Sequence, residues 1–220
     1  MPKSTFNNLA EKKQKAIIQA FMKEFTLHSY DKASLSKVVE QLGIAKGSIY
    51  QYFGNKQELF LYLVEICNQT KASYLVPIKR ADYPDYWTYF VEVYKNGLRF
   101  DAEHPMYSHF LFSLTQNLNS PSVKGIYDQM MQSVVKAFEE LAHYEVQAGL
   151  FRTDISLPVL GYMLYKFGAS IQEYLQHLGI IDPIKSIEKH EPIYFEKEEQ
   201  LMQHIHQFIS LAKPAFNKRT

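Results

Sequence analysis

The chain has 220 residues, a formal net charge of +1 and one cysteine, Cys67. That length allows one sizeable core, or a small domain joined to a larger one, and a lone thiol excludes an internal disulfide framework and fits a reducing, cytoplasmic setting. The overall balance excludes a polycation, yet residues 1–60 hold nine Lys against five acidic residues while the remainder holds fifteen basic against eighteen acidic, so the N-terminal part is the one suited to an anionic partner.

Residues 1–15 are polar, without an apolar run of signal-peptide length, and no later stretch approaches the ~20 apolar residues of a membrane span. Apolar spacing is helical almost throughout, with no convincing period-2 strand. A first helix is predicted over 7–28, with Leu9, Ile17, Ala20, Phe21 and Phe25 on one face. Ser34 is placed to cap a short second helix whose Leu35, Val38, Val39 and Leu42 fall at i, i+3, i+4 and i+7. Gly43 follows where a left-handed residue ends a helix, with Ile44 placed to pack back. A third short helix spans about 46–53, with Ile49 and Phe53 inward. Asn55 and Glu58 form a capping-box pattern opening a fourth helix towards Pro77. Further helices are predicted at 84–103, 105–118, 121–149, 156–180 and 196–213, with Pro105, Pro121 and Pro158 near three of the starts. The 181–195 stretch reads as a long connection. The fold class is all-α, with about nine helices.

Two short helices separated by a Gly-containing turn form the unit that places its second helix in a DNA major groove. In Ser34–Phe60 the buried stripe sets the angle between the helices and leaves Lys46, Gly47, Ser48, Tyr50, Gln51 and Tyr52 outside. Lys46 can reach guanine acceptors or a phosphate, Gly47 permits close backbone approach, and Gln51 can pair bidentately with adenine. Ser48 can serve a base edge or a phosphate, and the Tyr50 and Tyr52 hydroxyls can donate to phosphate oxygens. Lys56, in the first turn of the fourth helix, opposes the helix dipole, a mismatch eased if an anion joins it there.

The run Gly43-Ile44-x-Lys46-Gly47-Ser48-Ile49-Tyr50-x-Tyr52-Phe53-x-x-Lys56-x-x-Leu59-Phe60, with Phe21, Phe25 and Tyr30 before it, resembles the DNA-binding domain of the tetracycline-repressor (TetR) family of bacterial regulators. Gly149-Leu150-Phe151-Arg152-Thr153-Asp154 resembles the turn before that family's eighth helix. The resemblance implies phosphate contacts from Ser34, Ser48, Tyr50, Tyr52 and Lys56, and base contacts from Lys46, Gly47 and Gln51. Two positions depart from the pattern. Ala45 stands where a capping Ser is frequent, and Ser29 where a Gly usually ends the first helix. Neither touches the implied contacts.

The same resemblance implies a DNA-binding domain at 1–54 and an effector-binding and dimerisation domain at 55–220, the fourth helix acting as connector. Its last two helices would pair with a twin subunit, so that two recognition helices meet half-sites of a palindromic operator ~34–36 Å apart. Gly161, Gly168, Ala169 and Ser170 permit close helix approach, and Leu201, Ile205, Phe208, Ile209 and Ala212 form a helical seam. The body is rich in aromatic and sulfur side chains, and Trp87, Tyr107, Phe110, Phe112, Tyr127, Met131, Tyr165 and Phe167 are the candidate lining of a pocket for a small hydrophobic or aromatic effector. The expected role is a repressor released from DNA by that effector, without cofactor or metal.

Two other classes compete. An enzyme finds no support in a His-Glu-x-x-His, Gly-x-Ser-x-Gly or P-loop motif. The pairs His104/His109 and His204/His206 lack the i, i+4 spacing of two ligands on one helix face, and Cys67 reads as a small core residue. A regulator or interaction protein of the same fold without ligand sensing is the other alternative.

Overall fold

A computed structural model describes residues 1–116 and 120–218. Among them the chain is helical, with one isolated β-bridge, Phe151 to Asn217. The helices are α1 (Ser4–Asn7), α2 (Glu11–Leu27), α3 (Leu35–Gln41), α4 (Ser48–Tyr52), α5 (Lys56–Leu75), α6 (Tyr86–Glu103), α7 (Pro105–Gln116), α8 (Lys124–Gln147), α9 (Leu157–His177), α10 (Pro183–Lys189) and α11 (Glu198–Phe216). The last two positions of the helix predicted over 105–118 lie outside the described residues. All nine predicted helices are present, and α1 and α10 are additional short ones.

Both additions have a local cause. The predicted first helix is interrupted at Ala10, whose extended backbone separates α1 from α2. Gln14 then donates from Nε2 to the carbonyls of Asn7 and Leu9, at 3.0 and 2.8 Å, closing the end of α1. The 181–195 stretch, read as a long connection, contains one short helix. Pro183 starts α10, Ile187 anchors it in the core, and His190 reverses the chain at φ 60°.

The chain forms two compact units: Met1–Ser73 with Glu103–Lys124 and Ile184–Ile193, and Tyr74–Ala102 with Gly125–Pro183 and Tyr194–Thr220. In the first, α7 packs along α2. Phe25, Tyr30, Phe60 and Phe110 make a continuous run of ring contacts at 5.1–5.9 Å. In the second, Trp87 lies among Tyr86, Phe151, Phe167 and Phe216 at 5.2–6.0 Å. Its indole Nε1 donates to Asn217 Oδ1 at 2.9 Å, so the buried ring keeps its one polar group satisfied. A Cβ on Gly161 would lie 2.6 Å from the Glu139 backbone, so α8 and α9 approach here only because Gly161 has no side chain.

Candidate nucleic-acid interface

Ser34 caps α3, its Oγ accepting from Lys37 N at 3.3 Å. The helix closes on Gly43 at φ 64°, with Gly43 N donating to Glu40 O and Ile44 N to Val39 O, both at 3.1 Å. This is the paired closure of a Schellman turn, which requires a left-handed residue that glycine adopts without strain. Val38, Val39, Ile49 and Phe53 are buried, and fixing those four fixes which side of α4 faces outward. Asn55 Oδ1 accepts from Glu58 N at 2.8 Å to open α5, and the Glu58 carboxylate reaches back to Gly54 N at 3.4 Å.

On the outward side Lys46, Gly47, Tyr50 and Gln51 are exposed, Ser48 is half-buried, and Ser34 is exposed at the start of α3. The other two expected contact residues sit differently. Tyr52 is only 8% exposed, against 54% for Tyr50, and its ring packs on Phe6 at 5.9 Å. Lys56 is half-buried, and its Nζ donates to the Ala33 carbonyl at 2.6 Å from 4.9 Å over the Tyr30 ring. Burial lowers the Lys56 ammonium below its ordinary range, with the Asp31 and Glu24 carboxylates pulling the other way.

The two departures from the resemblance have local accounts. Helix α4 starts at Ser48 with Gly47, not Ala45, at its cap position and so no side-chain cap, and Ser48 N donates to the Ala45 carbonyl at 2.9 Å. Helix α2 ends on His28 in extended backbone, after which the Ser29 carbonyl accepts from Lys32 N and Ala33 N at 3.0 and 2.9 Å. No left-handed residue is used there, so glycine is not needed.

Sequence reasoning overlooked two groups. Glu24, 7% exposed, accepts from Ser34 N at 2.8 Å and fastens the start of α3 to α2. Residues 3–6, read only as part of a polar N-terminal stretch, lie against the end of α4. Lys3 Nζ donates to Tyr50 O at 2.9 Å, Lys3 N to Tyr52 O at 2.8 Å, and Thr5 Oγ1 to Gln51 O. Phe6 is fully buried against Tyr52, Phe53 and Tyr62. One apolar residue in a polar run was the only available signal.

The profile described as "Bacterial regulatory proteins, tetR family" matches residues 17–63, the segment that builds this surface. That segment is similar to the DNA-binding part of TetR-family regulators. A curated HTH-type transcriptional repressor, AcnR of Corynebacterium jeikeium, is 28% identical over 103 residues, covering 42% of this chain and 54% of the relative. The match thus spans about half the length of that relative. A TetR family transcriptional regulator from Chloroflexus aurantiacus J-10-FL superposes over 100% of both chains with a TM-score of 0.80 at 22% identity. FadR from Bacillus subtilis, in complex with stearoyl-CoA, covers 90% of this chain and 96% of its own with a TM-score of 0.60 at 16% identity. At these identities the structural likeness concerns the TetR fold.

The residues expected to line an effector pocket are divided between the two compact units. Trp87 and Phe167 are partners in the aromatic core of the second unit, 5.7 Å apart. Tyr107, Phe110 and Phe112 belong to the first unit, with Phe110 fully buried. Tyr127 is buried in the second unit, and burial pushes its hydroxyl up to about 12. Met131 and Tyr165 meet, Sδ to hydroxyl at 4.0 Å. An open groove of about 690 Å³ runs along α8, lined by Met131, Val135 and Leu157 with Asp128, Lys136, Glu139, Glu140 and His143 among its polar residues; of the eight candidates only Met131 lines it. Among the described residues no group of three or more His, Cys, Asp or Glu is placed to hold a metal, and no helix is long and apolar enough to cross a membrane.

Proposed function

We propose that this chain is a cytoplasmic, homodimeric DNA-binding transcriptional regulator rather than an enzyme, a repressor whose α4 enters the major groove of a palindromic operator. The observation that carries the reading is the outward set Lys46 and Gly47, just before α4, and Tyr50 and Gln51 on it, all left exposed while Ile49 on the opposite face is buried. Lys46 and Gln51 supply base-edge chemistry and Tyr50 supplies a phosphate donor. Ser34, Ser48, Tyr52 and Lys56 are the further phosphate contacts. The similarity to the AcnR repressor supports this part of the reading.

Dimerisation is assigned to α9 and α11. Along α9, Val159, Tyr162, Met163, Lys166 and Tyr174 are exposed on one stripe, and Leu211 is exposed on α11. Tyr174 also meets His204 edge-on and Phe208 at a tilt, both of α11 and both at 5.4 Å, which joins the two stripes into one face. An apolar face of this extent on two neighbouring helices fits a symmetric partner.

The effector is assigned to residues 55–220, division of labour falling at the start of α5. The stearoyl-CoA held by FadR supports a hydrophobic ligand. Helix α5 runs from the first compact unit into the second, and ligand-dependent displacement of it would change the spacing of the recognition helices. Such a ligand acts only through different affinities for the two states.

The test is fluorescence anisotropy with a duplex recovered by selection. Lys46→Ala should weaken binding and relax sequence preference, whereas Met163→Glu should yield a folded monomer with weak half-site binding. Retention of full affinity by Lys46→Ala would overturn the assignment of α4 as the reading helix.

A further inference from the structure

The last four carbonyls of a helix have no intrahelical partner, and in a five-residue helix such as α4 they are most of the element. Here each one is accounted for. Ile49 O accepts from Phe53 N at 2.7 Å. The other three are taken by a segment far away in sequence: Tyr50 O by Lys3 Nζ at 2.9 Å, Gln51 O by Thr5 Oγ1, and Tyr52 O by Lys3 N at 2.8 Å. Phe6, fully buried between Tyr52, Phe53 and Tyr62, fastens the segment in place.

We propose that Lys3, Thr5 and Phe6 are positioning residues for DNA recognition, an external C-terminal clamp that sets the orientation in which α4 presents Tyr50 and Gln51. The inference rests on the regulator reading above and extends it to a segment outside the helix-turn-helix. Two features of α4 make such a clamp consequential. The helix has no side-chain cap at its start, and it is far shorter than the ~12–15 residues at which an isolated helix becomes even marginally stable. Its geometry is therefore set by what holds its ends. Two of the three clamped carbonyls belong to Tyr50 and Gln51 themselves, so a change at the clamp moves the backbone of two reading residues directly. A cation at a helix C-terminus is also favoured by the helix dipole. The Lys3 ammonium thus has a use within the fold distinct from a phosphate contact.

The experiment measures binding of the full chain to a duplex selected from a random library and to an unrelated duplex of the same length, across a salt series. The variants are Thr5→Val, Thr5→Ser and the double variant Lys3→Met with Thr5→Val, each with its thermal midpoint recorded. The double variant should lose about tenfold in affinity for the selected duplex, the effect of two modest hydrogen bonds, and much less for the unrelated one. Thr5→Val should weaken specific binding without changing the salt dependence, and Thr5→Ser should restore it. Amide exchange at residues 48–53 should quicken in the double variant, which reads the clamp even where binding is weak. Parent-like discrimination and exchange in the double variant would overturn the inference while leaving the regulator reading intact. So would a loss of equal size on both duplexes with a salt slope reduced by about one, since that marks Lys3 as a phosphate contact. A parent chain that retains no duplex overturns the regulator reading, and this inference with it.

Discussion

The Arg80 guanidinium and the Glu145 carboxylate meet in parallel inside the second unit, Nη2 donating to Oε2 at 2.8 Å and Nε to Oε1. Glu145 is fully buried and Arg80 is 9% exposed. Arg80 Nη1 donates in addition to the Tyr83 carbonyl at 2.6 Å, and the guanidinium lies 5.2 Å from the Tyr144 ring. The pair ties the short turn Arg80–Asp82 to the end of α8. Glu145→Leu leaves a buried cation unpaired and should cost about 3–5 kcal/mol, whereas Arg80→Met with Glu145→Leu should recover most of that loss. Thermal unfolding of the two variants checks the difference, and a Glu145→Leu protein as stable as the parent would remove the pair from the account.

Gly161 gives a second prediction. A methyl group there would stand 2.6 Å from the Glu139 backbone, which cannot move aside as a flexible side chain would. Gly161→Ala should destabilise by about 1–3 kcal/mol despite the better helix propensity of alanine. Gly97, where an added Cβ meets nothing within 4 Å, is the control, and alanine there should be neutral or stabilising in the same denaturation assay.

Asp85 links stability to acid. Burial raises its carboxyl, but the Thr88 backbone N–H and hydroxyl and the Lys213 ammonium outweigh this and hold it below the usual range. A group with a depressed folded value adds stability that is fully present above its unfolded value of ~3.9 and is lost as pH falls through the folded value. Asp85→Asn should therefore flatten the pH dependence of the thermal midpoint below about pH 4. It should change the midpoint at pH 7 only modestly, since Asn also caps helices. An unchanged acid limb in the variant would rule out this carboxylate as a contributor.

How far the sequence could be read follows from which interactions are local. The α3 stripe, the Ser34 cap, Gly43 and the Asn55–Glu58 cap are each set by residues within a turn or two of one another, and all appear where their spacing placed them. The fastening of α4 by Lys3 and Thr5 spans 47 and 46 residues and leaves no periodic trace. Lys56 was read from its helix dipole and surface character, but the partner that holds it is the Ala33 carbonyl, a backbone group that no composition reveals. The aromatic residues of the body were countable, yet their grouping depends on which helix faces which. Trp87 and Phe167 meet in the second unit while Tyr107 and Phe110 lie in the first.

The most direct test of DNA recognition is selection of the purified full chain against a random duplex library at near-physiological salt, with sequencing of what it retains. The account predicts one enriched palindromic site, with half-sites about one helical turn or a multiple apart, and loss of enrichment in Lys46→Ala. A dimer that retains no sequence above background would contradict it.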